Sequence, residues 1–232
     1  MDFGNNKFRS IAEKMAKFIC DHQEYLVHLP YVIRNSKNWT LSDYQKNLYR
    51  YINPLRPINV FNRDEATDKN YIDILTDAYS LCRKDEDINI LRGILAENIF
   101  AFVCKKSYIR NWKFESGCAV KINNREVVYL DEETGDTKKT VDFGGWSFFE
   151  QSGIFAEVKV SPNVFNLKDS GYLSNLMNEL QKYASIKYKV CIFSLEQKKL
   201  MAEKIKSIGY PIENHTVILD PGGLFAEKFF TF

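Results

Sequence analysis

The chain has 232 residues, 45% of them hydrophobic and 14% aromatic, enough apolar mass for one well-filled domain with a small appendage. Its 32 basic and 30 acidic residues nearly cancel, which argues against a uniformly basic nucleic-acid binder and confines any such footprint to local patches. Five scattered cysteines and three scattered histidines fit neither a disulfide framework, nor zinc spacing, nor an evident Ser-His or Cys-His nucleophile, so any catalysis falls to carboxylates and lysines.

Odd, widely spread cysteines suit reduced thiols and a cytoplasmic location. The apolar runs are short and charges interrupt the N-terminal segment, so neither a membrane span nor a signal peptide is expected. Two stretches are locally basic. Residues 101–125 hold Lys105, Lys106, Arg110, Lys113, Lys121 and Arg125 against Glu115, and residues 182–206 hold seven lysines against Glu196 and Glu203. Solvated faces and phosphate-binding patches account for them equally well.

The first half of the chain reads as helices. Ile11 to Cys20 has helical spacing, Thr40 to Asp43 resembles a capping start for a helix that Asn53-Pro54 ends, and Tyr71 to Cys82 is amphipathic. The segment 53–70, with two prolines, reads as a loop and as the plausible internal boundary. Ile88 to Cys104 is apolar almost all round, the pattern of a buried helix. Glu97 lies within it on the line of Ile90, Ile94, Ala101 and Cys104.

The second half changes character. FESGCAVKI and REVVYL flank Asn123-Asn124 as a hairpin, because Asn tolerates the positive backbone angles of such a turn. KKTVDFGGW and GIFAEVKV follow as strands, with Gly144-Gly145 expected to kink the chain between them. A helix in YLSNLMNELQKYA, a fully apolar strand YKVCIFSL, a capping box at Ser194–Gln197 opening a helix that Gly209 closes, and a last strand in TVILD complete the order. This is a mixed α/β (α+β) sheet with helices on its faces, preceded by a helical N-terminal region.

GIFAEVKV raises a specific question, since an otherwise apolar strand carries an acid and a base. Alternation sends Glu157 and Lys159 to one face and Ala156, Val158 and Val160 to the other. If TVDFGGW pairs antiparallel with it, Asp142 becomes a near neighbour of Glu157. An ionised carboxylate is costly to bury without a counter-charge, and convergent acids suggest a divalent cation. The bland alternative is a structural Glu157–Lys159 ion pair with Asp142 as a turn cap.

These residues resemble the PD-(D/E)XK nuclease superfamily, the restriction-endonuclease-like fold. The match consists of Glu97 on a helix, the strand-end Asp142 of TVDFGGW, the Glu-x-Lys of FAEVKV, and the helix and apolar strand that follow, over about residues 86–220. The resemblance implies that Asp142 and Glu157, with the Val158 backbone carbonyl and Glu97 as an auxiliary, hold Mg²⁺ or Mn²⁺. It implies that Lys159 positions water and offsets charge on the phosphate. Val141 stands where the motif's proline would be, and Glu179 with Tyr183 is the nearest reading of the Gln-x-x-x-Tyr found in some members.

The expectation is therefore a metal-dependent endonuclease acting on DNA, of restriction or phage-defence type, acting as a homodimer or with a separately encoded partner. Residues 86–232 would form its core, and the helical residues 1–85 would select substrate or dimerise. The alternatives are a catalytically silent nucleic-acid-binding or structural subunit of the same fold, and a ribonuclease.

Overall fold

The computed structural model describes residues 6–52, 65–107 and 111–226. The chain forms two compact units, residues 1–102 and 103–232. The division falls inside a continuous helix and not at residue 85. The reason is visible in the bonding of that helix: Asp87 accepts from Lys7 Nζ, and Arg92 Nε donates to the Ile33 carbonyl at 2.6 Å, which ties its first turns to the N-terminal helices.

The first unit is helical. Helix α1 (Asn6–Asp21), a 3₁₀ turn (Gln23–Val27), α2 (Leu29–Asn35), α3 (Tyr44–Ile52), α4 (Glu65–Ser80) and α5 (Asp85–Ser107) follow in order, the last running on into the second unit. The apolar stripe of α1, Phe8, Ala12, Met15, Ala16 and Ile19, is fully buried, and α1 packs on α4. Aromatic contacts fill the gaps: Phe18 stacks on Tyr71 at 5.7 Å, and Trp39 meets Tyr79 at 5.4 Å. The buried Tyr79 hydroxyl donates to Ser36 Oγ at 2.7 Å, which in turn donates to the Ile33 carbonyl. Helix α4 begins six residues earlier than its apolar pattern suggests, within the segment read as a loop; Asn53 and Pro54 lie outside the described residues.

The second unit is built on a five-stranded mixed sheet. Its spatial order is β1 (Lys113–Ala119), β6 (Thr140–Ser147), β7 (Ser152–Lys159), β8 (Lys187–Ser194), β9 (Thr216–Leu219). The first three strands are antiparallel neighbours, whereas β7, β8 and β9 run parallel and are joined by α6 (Leu167–Tyr183) and α7 (Lys198–Ser207). Two short ribbons, β2 (Lys121–Ile122) with β3 (Arg125–Glu126) and β4 (Tyr129–Leu130) with β5 (Thr137–Lys138), lie between β1 and β6 in sequence. A short helix, α8 (Pro221–Ala226), follows β9. Asn123 and Asn124 make the β2–β3 turn with φ of 51° and 63°, the expected left-handed pair. Leu173, Leu176, Met177 and Leu180 of α6 share a core with Val190, Ile192, Met201 and Ile205.

Three local expectations change. Gly144 and Gly145 do not kink the chain; they sit inside β6, paired with β1 on one side and β7 on the other. A Cβ at Gly144 would meet Cys118 Sγ at 2.6 Å, and one at Gly145 would meet Phe114 and Ile154 below 3 Å, so the glycines make room for neighbouring side chains. The reversal comes later, at Phe148–Gln151, where Gln151 takes φ 47°. Ser194 does not cap α7: it ends β8, and its Oγ accepts the Glu196 N–H as a turn. Helix α6 starts at Leu167, with a capping box between Asn166 and Asp169 that the sequence reading missed.

Candidate active site

The β6–β7 ladder runs from Ser147↔Ser152 to Phe143↔Ala156. One step further the register sets Asp142 opposite Glu157, and there a side chain takes over from the backbone: Asp142 Oδ2 accepts the Val158 N–H at 2.8 Å. An acid at this position therefore both ends the ladder and stands beside the next acid. The expected neighbourhood of Asp142, Glu157 and Lys159 is present. Lys159 Nζ lies 2.9 Å from Glu157 Oε2 and 3.7 Å from Asp142 Oδ2.

Two further charges join them. Lys138, on β5, places its Nζ 3.1 Å from Glu157 Oε2 and 3.0 Å from Asp169 Oδ1. Asp169, on the first turn of α6, also lies 3.2 Å from Lys159 Nζ. Each ammonium thus contacts the same two oxygens. Sequence reasoning missed both residues. Asn166-x-x-Asp169 is a readable helix start that puts an acid at the third helical position, but the adjacent lysines at 138 and 139 offer no signal to separate one from the other.

Glu157 is completely buried, and its Oε1 has no hydrogen-bond partner. Burial raises its carboxyl to about 8, and the Asp142 charge adds to the rise while Lys159 and Lys138 oppose it. Burial works against the Lys159 ammonium, but Glu157, Asp142 and Asp169 outweigh that and push its pKa above the ordinary lysine value; Lys138 moves the same way. Asp169 is desolvated too, yet the two lysines hold it below the usual carboxylate range. A neutral Glu157 is compatible with charged lysines because Asp169 faces both of them and Asp142 faces Lys159.

The cluster holds three carboxylates against two ammonium groups, so ionising every member leaves one uncompensated negative charge beside a buried, unpartnered oxygen. Asp142, whose side chain is 24% exposed, opens the site to solvent. These features fit a hard cation such as Mg²⁺ held by two carboxylates and completed by water or phosphate. Among the described residues no group of three or more His, Cys, Asp and Glu side chains is arranged to hold a metal. Asp169 is committed to the lysines and the helix cap. Glu97 lies on α5 in the first unit and is half-buried; on its line, Ile90 is exposed and Cys104 buried.

The basic residues of both patches that are described, Lys105, Lys106, Lys113, Lys121, Arg125 and the seven lysines of 182–206, are exposed or half-buried; Arg110 lies outside the described residues. Trp112 and Trp146 are half-buried, and Tyr183 is exposed. No helix among the described residues is long and apolar enough to cross a membrane.

No family model matches the sequence, and no curated protein matches it. Among solved structures, the crystal structure of protein VC1899 from Vibrio cholerae is similar over 97% of this chain at 12% identity, with a TM-score of 0.42. The chain spans 54% of that protein, about half its length.

Proposed function

We propose that the second unit is a metal-dependent nuclease that hydrolyses phosphodiester bonds in DNA. The observation that carries this reading is Glu157: a fully buried carboxylate with one oxygen shared by two lysines and the other without a partner, set beside Asp142 where the β6–β7 ladder ends. A fold gains nothing from an orphaned buried oxygen, and a cation bound there would remove the cost. Asp142, Glu157 and the Val158 carbonyl are the groups of the second unit that would hold Mg²⁺ or Mn²⁺. The ion would supply positive charge against the phosphate and acidity for water.

The chain's own groups do the rest. Lys159 is an ammonium held between Glu157 and Asp142, where it can orient the attacking water and offset charge growing on the phosphate oxygens. Asp142 accepts the Val158 N–H near the end of β7, which holds its carboxylate beside Glu157 and Lys159. The exposed lysines of the two basic stretches supply sequence-independent contacts to a backbone of phosphates. The helical unit is proposed to select substrate or dimerise, and the whole to serve restriction or phage defence, alone or with a partner protein.

The test is incubation with plasmid, linear and single-stranded DNA and with RNA, in Mg²⁺, Mn²⁺ or EDTA, beside Asp142→Ala. Metal-dependent cutting of DNA lost in Asp142→Ala is expected; cutting confined to RNA would make the enzyme a ribonuclease. Equal cutting by Asp142→Ala would remove the assignment.

A second reading rests on a different observation, the near-saturation of Glu157 Oε2 by Lys138 and Lys159. On that reading the cluster is structural and the unit is a silent nuclease-fold subunit. Glu157→Gln would then be destabilising in EDTA, because it weakens the tie on two partly buried ammonium groups.

A further inference from the structure

The five charged residues of the site are not equivalent in how they are held. Asp169 Oδ2 accepts the Asn166 N–H at 3.2 Å, while the Asp169 N–H donates to Asn166 Oδ1 at 3.1 Å. The carboxylate is therefore clamped at the start of α6 and is 5% exposed. Its other oxygen, Oδ1, is the one that meets Lys138 and Lys159. Lys138 comes from β5, outside the five-stranded sheet, so nothing in the β6–β7 pairing by itself would bring it to Glu157.

We propose that Asp169 is the positioning residue of this site and Lys138 its second ammonium: the free oxygen of a carboxylate clamped at the start of α6 fixes both lysine heads against Glu157 Oε2. This rests on the nuclease reading for its purpose but not for its geometry. With Oε2 occupied from two sides at 2.9 and 3.1 Å, the Glu157 carboxylate cannot rotate freely, and Oε1 stays the buried oxygen without a partner. Lys138 brings a second positive charge to the phosphate, and Asp169 stops the two lysines from collapsing onto Glu157 alone. Asp169 works through the lysines and need not touch substrate.

The charges make opposite demands on metal binding. Removing the Asp169 charge leaves both ammonium groups to neutralise Glu157 and Asp142, which weakens the attraction for a cation. Removing the Lys138 charge strengthens it.

The test uses the full chain and three readouts. First, lysines are acylated at limiting reagent without metal, and each site is followed by mass spectrometry against the exposed Lys199. Asp169→Asn keeps an acceptor for the helix cap but loses the charge; Lys138 and Lys159 are expected to react several-fold faster in it than in the parent. A residue that only capped α6 would leave those rates unchanged, and unchanged rates overturn the proposal. Second, calorimetric titration with Mn²⁺ is expected to show weaker binding in Asp169→Asn and tighter binding in Lys138→Gln, a variant that leaves the cap untouched. Changes of the same sign in both overturn it.

Third, in Mn²⁺ with DNA, kcat of Asp169→Asn is expected to fall about 10- to 100-fold, as for partners that orient the groups at a metal site. KM is expected to move far less. If Asp142→Ala abolishes cutting while Asp169→Asn keeps the parent's kcat, the nuclease reading stands and this proposal falls. If the parent neither binds Mn²⁺ nor cuts, the nuclease reading falls, and the acylation rates still decide the positioning role.

Discussion

Asp87 in the helical unit and Glu157 in the sheet unit are both buried acids beside lysines, and their surroundings treat them in opposite ways. Asp87 Oδ2 accepts from Lys7 Nζ at 2.6 Å and from the backbone N–H groups of Arg83 and Lys84 at 2.7 and 3.3 Å. Burial works against its charge, but Lys7 and the Arg83 N–H outweigh it and the carboxyl is held below its usual range. Glu157 has two lysines and still keeps an oxygen with no partner, and burial raises its carboxyl to about 8. The first arrangement is what an acid looks like when its task is to hold a fold. On the proposed reading, the second keeps a cost that the fold by itself does not need.

Activity is where the two acids should differ most. Glu157→Gln, Asp142→Ala and Lys159→Ala are each expected to lower metal-dependent DNA cutting by about 100-fold or more, the scale for removing a group that stabilises transition-state charge. Asp87→Asn, purified alongside, should cut like the parent at a temperature where it is folded. Parent-like cutting by Glu157→Gln would erase the distinction.

Metal should sharpen it next. Mn²⁺ at a hundredfold excess over its dissociation constant stabilises a protein that binds it only when folded by about 2.7 kcal/mol. Thermal melts are expected to rise with Mn²⁺ in the parent and in Asp87→Asn, and to rise much less in Glu157→Gln. A rise of equal size in Glu157→Gln would mean that the ion sits elsewhere.

Stability without metal should divide them in the other direction. Asp87→Ala strands the Arg83 and Lys84 N–H groups and is expected to cost about 2 kcal/mol. Glu157→Gln in EDTA is expected to be as stable as the parent or more so, since it removes a desolvated carboxylate next to Asp142. Chemical denaturation of both variants measures this, and a clearly destabilised Glu157→Gln would favour the structural-cluster reading.

The last expected effect is on pH dependence, where the raised Glu157 carboxyl already includes the opposition of the two lysines. A carboxyl raised in the folded state holds a proton that the unfolded chain, near the ordinary glutamate value, has lost. Its contribution is complete below the unfolded pKa and disappears as pH rises through about 8. The lowered carboxyls of Asp87 and Asp169 act the other way, contributing above the unfolded aspartate value and losing that contribution only in acid. The raised Lys138 and Lys159 matter only at higher pH. In EDTA the parent's melting temperature should therefore drift down between mildly acidic and mildly alkaline pH, and Glu157→Gln should flatten the drift. An unchanged slope in that variant would assign the drift to other groups.

Much of this is legible in the sequence. The shared face of Glu157 and Lys159 follows from strand alternation alone, and the Asp142–Glu157 neighbourhood needs only one antiparallel pairing, the one β6 and β7 make. The Asn123-Asn124 turn and the Gly209 helix end, at φ 72°, were readable because their backbone angles admit few residue types. Gly144-Gly145 was misread because glycine marks close approach as well as bending, and only Cys118, Phe114 and Ile154 on neighbouring strands reveal which applies.

Sequence by itself determined the period of each element, the order of helices and strands, and the residues that share a strand face, because these follow from steric rules that act within a few residues. Tertiary structure decided the rest of the charge cluster. Lys138 and Asp169 lie 31 residues apart, on a two-residue strand and a helix start, and neither position differs locally from any exposed lysine or helix-capping acid. Whether such charges meet depends on where α6 begins and on how the short ribbon crosses it. Those are global outcomes of packing, and the energy of bringing charges together in a dry place exists only once the place has been built.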